Sequence, residues 1–254
     1  MNSNLAVVIM AAGKGTRMNN PDMAKVMYPI NGKPLVEHVV DLALQLKSSR
    51  TVVIVGWKRE SVIDYLRTTG KPAVCVEQVP QLGTGHAVMQ AEKSLADFTG
   101  DVLVLSGDVP LLSFATTRSL IEHHRKEGAI ATVLTAVLPD ATGYGRMIRN
   151  PHGDVTGIVE HKDATEEQRQ IREINSGIYV FDKLRLFEGL QHITPSNLQQ
   201  EYYLTDVFEY FWKNDLKVCA IATPDSREIQ GINTPQQLED AREAMAAGRV
   251  DNQD

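Results

Sequence analysis

The chain is poor in the residues that mark several large classes of protein. Cysteine occurs twice in 254 residues, at Cys75 and Cys219, and neither belongs to a C-x-x-C. That disfavours a disulfide framework, a zinc ribbon and a redox dithiol; two buried thiols in a reducing, cytoplasmic compartment fit better. The seven histidines form no H-x-x-x-H pair, and no G-x-S-x-G marks a hydrolase nucleophile. No apolar run approaches the ~18 residues of a membrane span. The opening Met1-Asn-Ser-Asn has neither a basic nor an apolar leader segment. Excess positive charge is lacking too: the net charge is −6, which argues against a nucleic-acid partner.

What the sequence does have is core material, at 43% hydrophobic residues, and a distinctive start. Residues 5–10 form a continuous apolar run, as expected of a strand buried on both faces of a parallel sheet. The run breaks at Ala11-Ala12-Gly13 into a loop with small side chains, Gly15 and the cations Lys14 and Arg17. Such a loop lets backbone approach a flat ring or a phosphate, and its N–H groups make an anion nest. Its spacing matches neither G-x-G-x-x-G nor G-x-x-x-x-G-K-[ST], so it is neither a dinucleotide fingerprint nor a P-loop. Lys25 downstream adds a third cation, a grouping that suits a small anionic ligand.

Further along, buried strands are expected at 51–55, 73–77, 102–106 and 130–137, alternating with helices at 34–47, 60–67, 84–95 and 114–126. That order implies βαβ units, an α/β fold and a mostly parallel sheet, whose ligands bind at the carboxyl ends of the strands. The loops at 11–17, 78–85 and 107–110 would meet there. After about residue 140 the pattern turns β-rich: a hairpin around Asn150-Pro-His-Gly153, a polar helix or loop at 164–171, strands at 174–181 and 218–222, and a helix at 205–212. Thr234, Pro235 and Gln237 spell a variant capping box that opens a helix to about 247, followed by a polar tail at 251–254 that frays. The expected organisation is one domain over 1–254: a first half to about 140, a β-rich lobe at about 141–233, and a terminal helix and tail.

Several residues could carry chemistry. Asp108, after a buried strand and a glycine, suits Mg²⁺, which takes one or two carboxylates plus phosphate oxygens and water; taken alone it serves equally as the Asp that opens a turn before Pro110. Asn233, just before the Thr234 cap, is a second candidate, or simply a loop residue. Gly83-Thr84-Gly85 lies at a helix start, which favours an anion or a carbonyl-rich ring. Gln78 can donate and accept, and so can pair with the edge of uracil, though it could also flip to suit cytosine. Gly145, Glu160 and Asn175 in the second lobe read singly as a turn residue, a surface carboxylate and a turn Asn.

Taken together these residues are familiar. Ala11-Ala-Gly-Lys-Gly-Thr-Arg17, Leu82-Gly-Thr-Gly-His86, Gly107-Asp108, Thr142-Gly-Tyr-Gly-Arg146, Ile158-Val-Glu-His-Lys-Asp-Ala164, Glu173-Ile-Asn-Ser-Gly177 and Glu201-Tyr-Tyr-Leu-Thr-Asp206 occur in this order. Over roughly residues 5 to 247 the chain resembles the uridylyltransferase domain of the bifunctional bacterial enzyme that makes UDP-N-acetylglucosamine, a precursor of the peptidoglycan cell wall. The resemblance implies a Rossmann-like nucleotidyltransferase domain with a smaller β-rich sugar-binding lobe. It also implies roles. Ala11, Ala12 and Gly13 would line the base and ribose; Lys14, Gly15 and Arg17 would hold the triphosphate of UTP; Lys25 would reach the phosphates of the reacting ligands. Gln78, Gly83 and Thr84 would read uracil and flank the sugar. Asp108, which also lies on the nucleotide, and Asn233 would hold Mg²⁺. Gly145, Glu160 and Asn175 would bind the N-acetylglucosamine moiety.

There are three departures. Ala24 stands where the family usually has Pro, Ser106 where some members have an aromatic residue, and the family's left-handed β-helix acetyltransferase domain, with its trimer, is absent from these residues. The oligomeric state is left open. The implied reaction joins UTP and N-acetylglucosamine 1-phosphate, with no nucleic acid or membrane involved. A phosphate monoester has a second pKa of ≈6 and needs no general base, so the work falls to cations, above all Lys14, Arg17 and Lys25, with Mg²⁺. Two other functions fit the same residues: a nucleotidyltransferase for another sugar, such as glucose 1-phosphate, and a non-catalytic protein that binds UDP-sugar.

Overall fold

In chain order the strands are β1 (Leu5–Ala11), β2 (Pro29–Ile30), β3 (Lys33–Pro34), β4 (Arg50–Val55), β5 (Val74–Glu77), β6 (Asp101–Ser106), β7 (Ala131–Val137), β8 (Gly145–Arg149), β9 (Val155–Val159), β10 (Glu173–Asp182) and β11 (Val218–Ala222). The helices are α1 (Leu35–Gln45), α2 (Arg59–Thr68), α3 (Thr84–Met89), α4 (Phe114–Glu127), α5 (Glu166–Arg169), α6 (Lys183–Leu190), α7 (Val207–Lys213) and α8 (Pro235–Gly248), with short 3₁₀ turns between some of them. These elements come from a computed structural model, which describes residues 4–248.

Alternation along β1 sets the layers. Leu5, Val7 and Ile9 pack on one side with Val36, Val39 and Val40 of α1, Leu66 of α2 and Leu120 of α4. Ala6 and Val8 pack on the other side with Val88 of α3, Leu186 of α6 and Phe208 and Phe211 of α7. The fold is thus a helix–sheet–helix sandwich, and the apolar run of β1 is buried on both faces as expected.

The main sheet runs β11-β7-β10-β6-β1-β4-β5, with β8 and β9 branching from β10. The pairings β1–β4, β1–β6, β4–β5 and β7–β11 are parallel. β10 is antiparallel to β6, β7 and β8. This reversed strand is what the α/β pattern did not announce. Because β10 runs backwards, its amino-terminal end lies at the carboxyl ends of the parallel strands. Its register slips between Asn175 and Tyr179, where the chain leaves β8 and joins β6.

Several local expectations need correction. The helix read over 84–95 stops at Met89, and Lys93–Leu95 is a separate 3₁₀ turn. The two cysteines are half-buried rather than buried, because β5 and β11 are the edge strands of the sheet. Burial still raises both thiol pKa values, which keeps them unreactive. Two elements lie outside those expectations: α6, which follows an Asp182 cap, and the β2–β3 hairpin, whose turn residues Asn31 and Gly32 have φ of 51° and 80°, the signature of an Asn-Gly type I′ turn. The tail at 251–254 lies outside the described residues. No described helix is long and apolar enough to cross a membrane.

A third, small core ties the end of the chain to its beginning: Ile232, Leu238 and Ala241 pack on Met18, Ile30 and Leu35. The α8 cap forms as the sequence implies, with Gln237 N–H on Thr234 Oγ1 at 3.2 Å and the Gln237 amide oxygen accepting from Thr234 N–H at 3.1 Å.

Ala24, the family's usual Pro position, has φ −62° and ψ 135°, a backbone that proline adopts without strain. The substitution Ala24→Pro should therefore stabilise the fold by about 0.4–1 kcal/mol through the unfolded state, seen as a raised melting temperature. A lowered one would show that the ring does not fit a side chain that is 1% exposed.

Candidate active site

Four parallel strands end on one edge of the sheet, and a cleft of about 970 Å³ opens there. Its lining includes Ala11, Ala12, Gly13, Lys14, Lys25, Gln78, Gly83, Thr84, Ser106 and Asp108. The three loops named from the sequence therefore meet. The β1 loop is held in place by Trp57 N–H on the Ala12 carbonyl at 3.0 Å and by the Gln81 amide on the same oxygen at 2.5 Å. Gly107 N–H closes the neighbouring strand end on Met10 O at 2.9 Å.

At the floor of this mouth the Lys25 ammonium donates to Asp108 Oδ2, and to Asn233 Oδ1 at 2.9 Å. Lys25 and Asp108 side chains are only 13% and 16% exposed. Three segments distant in sequence build this cluster. Gly15, at φ 62°, allows the Lys25 side chain to cross the loop: a Cβ there would stand 2.5 Å from Lys25 Cβ. Asp108 sits just past β6, and its carbonyl accepts Ile232 N–H at 2.9 Å, which brings Asn233 alongside. Asn233 N–H is itself held by the Gln237 amide at 2.9 Å, so the α8 cap fixes it.

The two acceptors on Lys25 are hard oxygens, a carboxylate and an amide, already seating a cation. That donor set fits Mg²⁺, which is satisfied with few protein ligands if phosphate and water complete its shell. Among the described residues no group of three or more His, Cys, Asp or Glu could hold a metal by itself.

Of the other two cations expected here, one lines the cleft and one does not. Lys14 Nζ stands 5.3 Å from the centre of the Trp57 ring. Arg17 is exposed in a 3₁₀ turn and does not line the cleft. Its charge is nevertheless felt at Tyr144, whose phenol is pushed up by burial and by Asp108 and pulled down by Arg17. Gln78 differs from the expectation of an open base-reading amide. It is 4% exposed, and its Nε2 donates to Gly83 O at 2.9 Å beside His86 Nδ1 at 3.1 Å. Its amide oxygen is the end left for a ligand.

Gly145, Glu160 and Asn175 form a second group beside the cleft. Gly145 opens β8 opposite Asn175 on β10. A Cβ on Gly145 would lie 3.5 Å from both Glu160 Oε2 and Asn175 Cβ. Asn175 donates to Tyr179 OH at 2.7 Å. Glu160 accepts from Thr205 Oγ1 at 3.1 Å, and Leu204 N–H donates to Thr84 Oγ1 at 3.0 Å. The reversed strand β10 is thus what brings the second half of the chain to the mouth of the parallel strands.

The sequence reading gave no role to Trp57, Lys58, Arg59, Glu60, Gln81 or Glu201, all of which line the cleft, although Gln81 lies in a loop it placed there and Glu201 opens a motif it named. The first four follow β4, and the rule applied to the other strand ends would have found them.

A doubly covered sheet whose parallel strands end at a mouth lined by cations and by a carboxylate–amide cation seat fits a nucleotidyltransferase. The chain belongs to the MobA-like NTP transferase domain family, whose model matches residues 7–148. It is similar to the bifunctional protein GlmU of Geobacillus thermodenitrificans NG80-2, at 47% identity over 238 residues, covering 94% of this chain and 51% of the relative. The GlmU of Exiguobacterium sibiricum is 48% identical over 242 residues, covering 95% and 53%. The chain therefore spans about half the length of the curated relatives it matches. A crystal structure of UDP-glucose pyrophosphorylase complexed with UDP-glucose shares the fold, with a TM-score of 0.77 at 19% identity over 96% of this chain and 99% of that one.

Asp206 stands next to this site with its carboxyl pushed up to about 6 by burial and by Glu160, Glu209 and Asp163. A folded-state value above the ordinary 3.8 favours the protonated form, so stability is lost as pH rises from about 4 through 6. Asp206→Asn should melt close to wild type at pH 4 and above it at pH 7, the gap opening between those values. A gap of constant size across pH 4 to 7 would contradict the shift.

Proposed function

We propose that this chain transfers a uridylyl group: UTP and N-acetylglucosamine 1-phosphate give UDP-N-acetylglucosamine and pyrophosphate. An oxygen of the sugar phosphate attacks the α-phosphorus of UTP in line, a new P–O bond forms, and the bond to the β-phosphate breaks with its electrons leaving on pyrophosphate. The attacking phosphate is largely a dianion at neutral pH, with a second pKa of ≈6, so no side chain has to remove a proton.

The observation that carries this reading is the cation seat made by Asp108 and Asn233 at the mouth of the parallel strands, occupied by Lys25. Asp108 and Asn233 would hold Mg²⁺, which supplies charge neutralisation for the phosphates. Lys25, freed from that seat, would move its charge onto the phosphates. Lys14 in the cleft and Arg17 on the exposed turn after it would steer and grip the triphosphate. The backbone of Ala11, Ala12, Gly13 and Gly15 would lie against ribose and phosphate, with Gln78, Gly83 and Thr84 around the base. Glu160 and Asn175 would face the sugar: a half-buried carboxylate with a single hydroxyl donor among the described residues has room for further donors, and sugar hydroxyls provide them. The similarity to GlmU sequences supports the choice of N-acetylglucosamine, and the protein would work in the cytoplasm.

The test is pyrophosphate release with UTP and N-acetylglucosamine 1-phosphate, set against glucose 1-phosphate and the other nucleoside triphosphates. Highest turnover with the first pair is expected. Preference for glucose 1-phosphate would reassign the sugar, and no release from any pair would leave a UDP-sugar binder. Asp108→Asn should lower turnover by about 10²–10³-fold, the scale seen when one preorganised electrostatic group is removed. Near-normal turnover in excess Mg²⁺ would reject the metal role of Asp108.

A further inference from the structure

We infer that Thr205 is a positioning residue for Glu160, and that segment 202–205 fastens the nucleotide-facing and sugar-facing parts of the site to each other. The inference rests on the sugar-binding reading of Glu160 above.

Glu160 follows β9 and makes no ion pair among the described residues; its side chain accepts one hydrogen bond, from Thr205 Oγ1 to Oε1 at 3.1 Å. Thr205 is 7% exposed, so the hydroxyl is fixed by packing. The other carboxylate oxygen, Oε2, lies beside the open face of Gly145, 3.5 Å from where a Cβ would stand there, as does Asn175 Cβ, so the space bordered by these three groups adjoins it. The hydroxyl therefore anchors one oxygen and presents the second to that space. Burial raises the Glu160 carboxyl, the Thr205 hydrogen bond lowers it and Asp163 raises it further, so the hydroxyl is the group that favours the ionised, accepting form.

The same segment reaches the other half of the site. Leu204 N–H donates to Thr84 Oγ1 at 3.0 Å, which leaves the Thr84 hydroxyl hydrogen free to donate elsewhere. Gly85 N–H donates to Tyr202 O at 2.7 Å, and Tyr202 N–H to Leu82 O at 2.8 Å. Gly83 has to be glycine for this contact: its φ is 108°, and a Cβ would stand 2.6 Å from Tyr202 O. Adjacent residues 204 and 205 thus hold Thr84 and Glu160 in one fixed relation. A sugar nucleotide spanning the two would meet a prepared geometry.

The experiment compares Thr205→Val, which keeps the shape and removes the donor, with Thr205→Ser and Glu160→Gln. KM is measured separately for N-acetylglucosamine 1-phosphate and UTP, alongside melting temperature. For Thr205→Val the KM for the sugar phosphate should rise about tenfold or more, the scale of one hydrogen bond to a charged group. The KM for UTP should stay within about twofold of wild type, and Thr205→Ser should restore the sugar value. The double variant Thr205→Val/Glu160→Gln should be no worse than Glu160→Gln alone. An unchanged sugar KM in Thr205→Val, with Glu160→Gln impaired, overturns the positioning role. Equal rises in both KM values with a depressed melting temperature overturn it as well. Should Thr205→Val not fold, Thr205→Cys, a weak donor of similar size, takes its place. Glu160→Gln without effect would sink the sugar reading itself, and the inference with it.

Discussion

One ammonium group organises the mouth of this protein. Lys25 lies between the Asp108 carboxylate and the Asn233 amide oxygen, mostly out of water. In that position a lone carboxylate would be costly and the ammonium offsets it. The arrangement also draws together three parts of the chain that share no local structure. Asp108 is delivered by the end of β6, Lys25 by a loop that can be crossed only because Gly15 has no side chain, and Asn233 by the cap of the last helix. The small core of Met18, Ile30, Leu35, Ile232, Leu238 and Ala241 is what presses that helix onto the loop. Packing far from the cleft therefore decides whether its two oxygen acceptors face one another.

A second constraint is directional. Parallel strands bring their carboxyl ends to one edge, and a further parallel strand could add only another loop there. β10 runs the other way and so places Asn175, with its partners Gly145 and Glu160, beside the same edge. The segment from Tyr202 to Thr205 then bonds to both groups. The mouth is thus built as two halves with a covalently continuous clasp between them.

How much of this could be read beforehand follows from which forces are local. The two-sided burial of β1 and the capping box at Thr234 are written in consecutive residues, and they form as read. The meeting of the loops at 11–17, 78–85 and 107–110 followed from the rule for parallel strands. Strand direction is not local: nothing in Ile174 to Phe181 distinguishes a reversed β10 from another parallel strand. Side-chain partners across long loops were equally hidden. Glu37, on the buried face of α1, is paired with Lys71 at 2.5 Å and Tyr65 at 2.6 Å, and periodicity alone marked that helix only by its apolar stripe. Gln78 was legible as a polar residue at a strand end, but not its bond to Gly83. The resemblance to a known family supplied the pairing of Asp108 with Asn233, which spacing could not.

If Asp108 and Asn233 are the seat of a divalent cation, Lys25 holds that seat in the free protein and must leave it when nucleotide arrives. Mn²⁺, an EPR-visible substitute for Mg²⁺, tests this directly when titrated into wild type and Lys25→Met, each with and without UTP. Without nucleotide the Met variant, which keeps the side-chain bulk over Gly15, should bind Mn²⁺ about tenfold more tightly, a competition worth about 1.4 kcal/mol. With UTP present, wild-type binding should tighten to meet it. Equal Mn²⁺ affinity of the two proteins without nucleotide, or no tightening by UTP in wild type, would contradict the account.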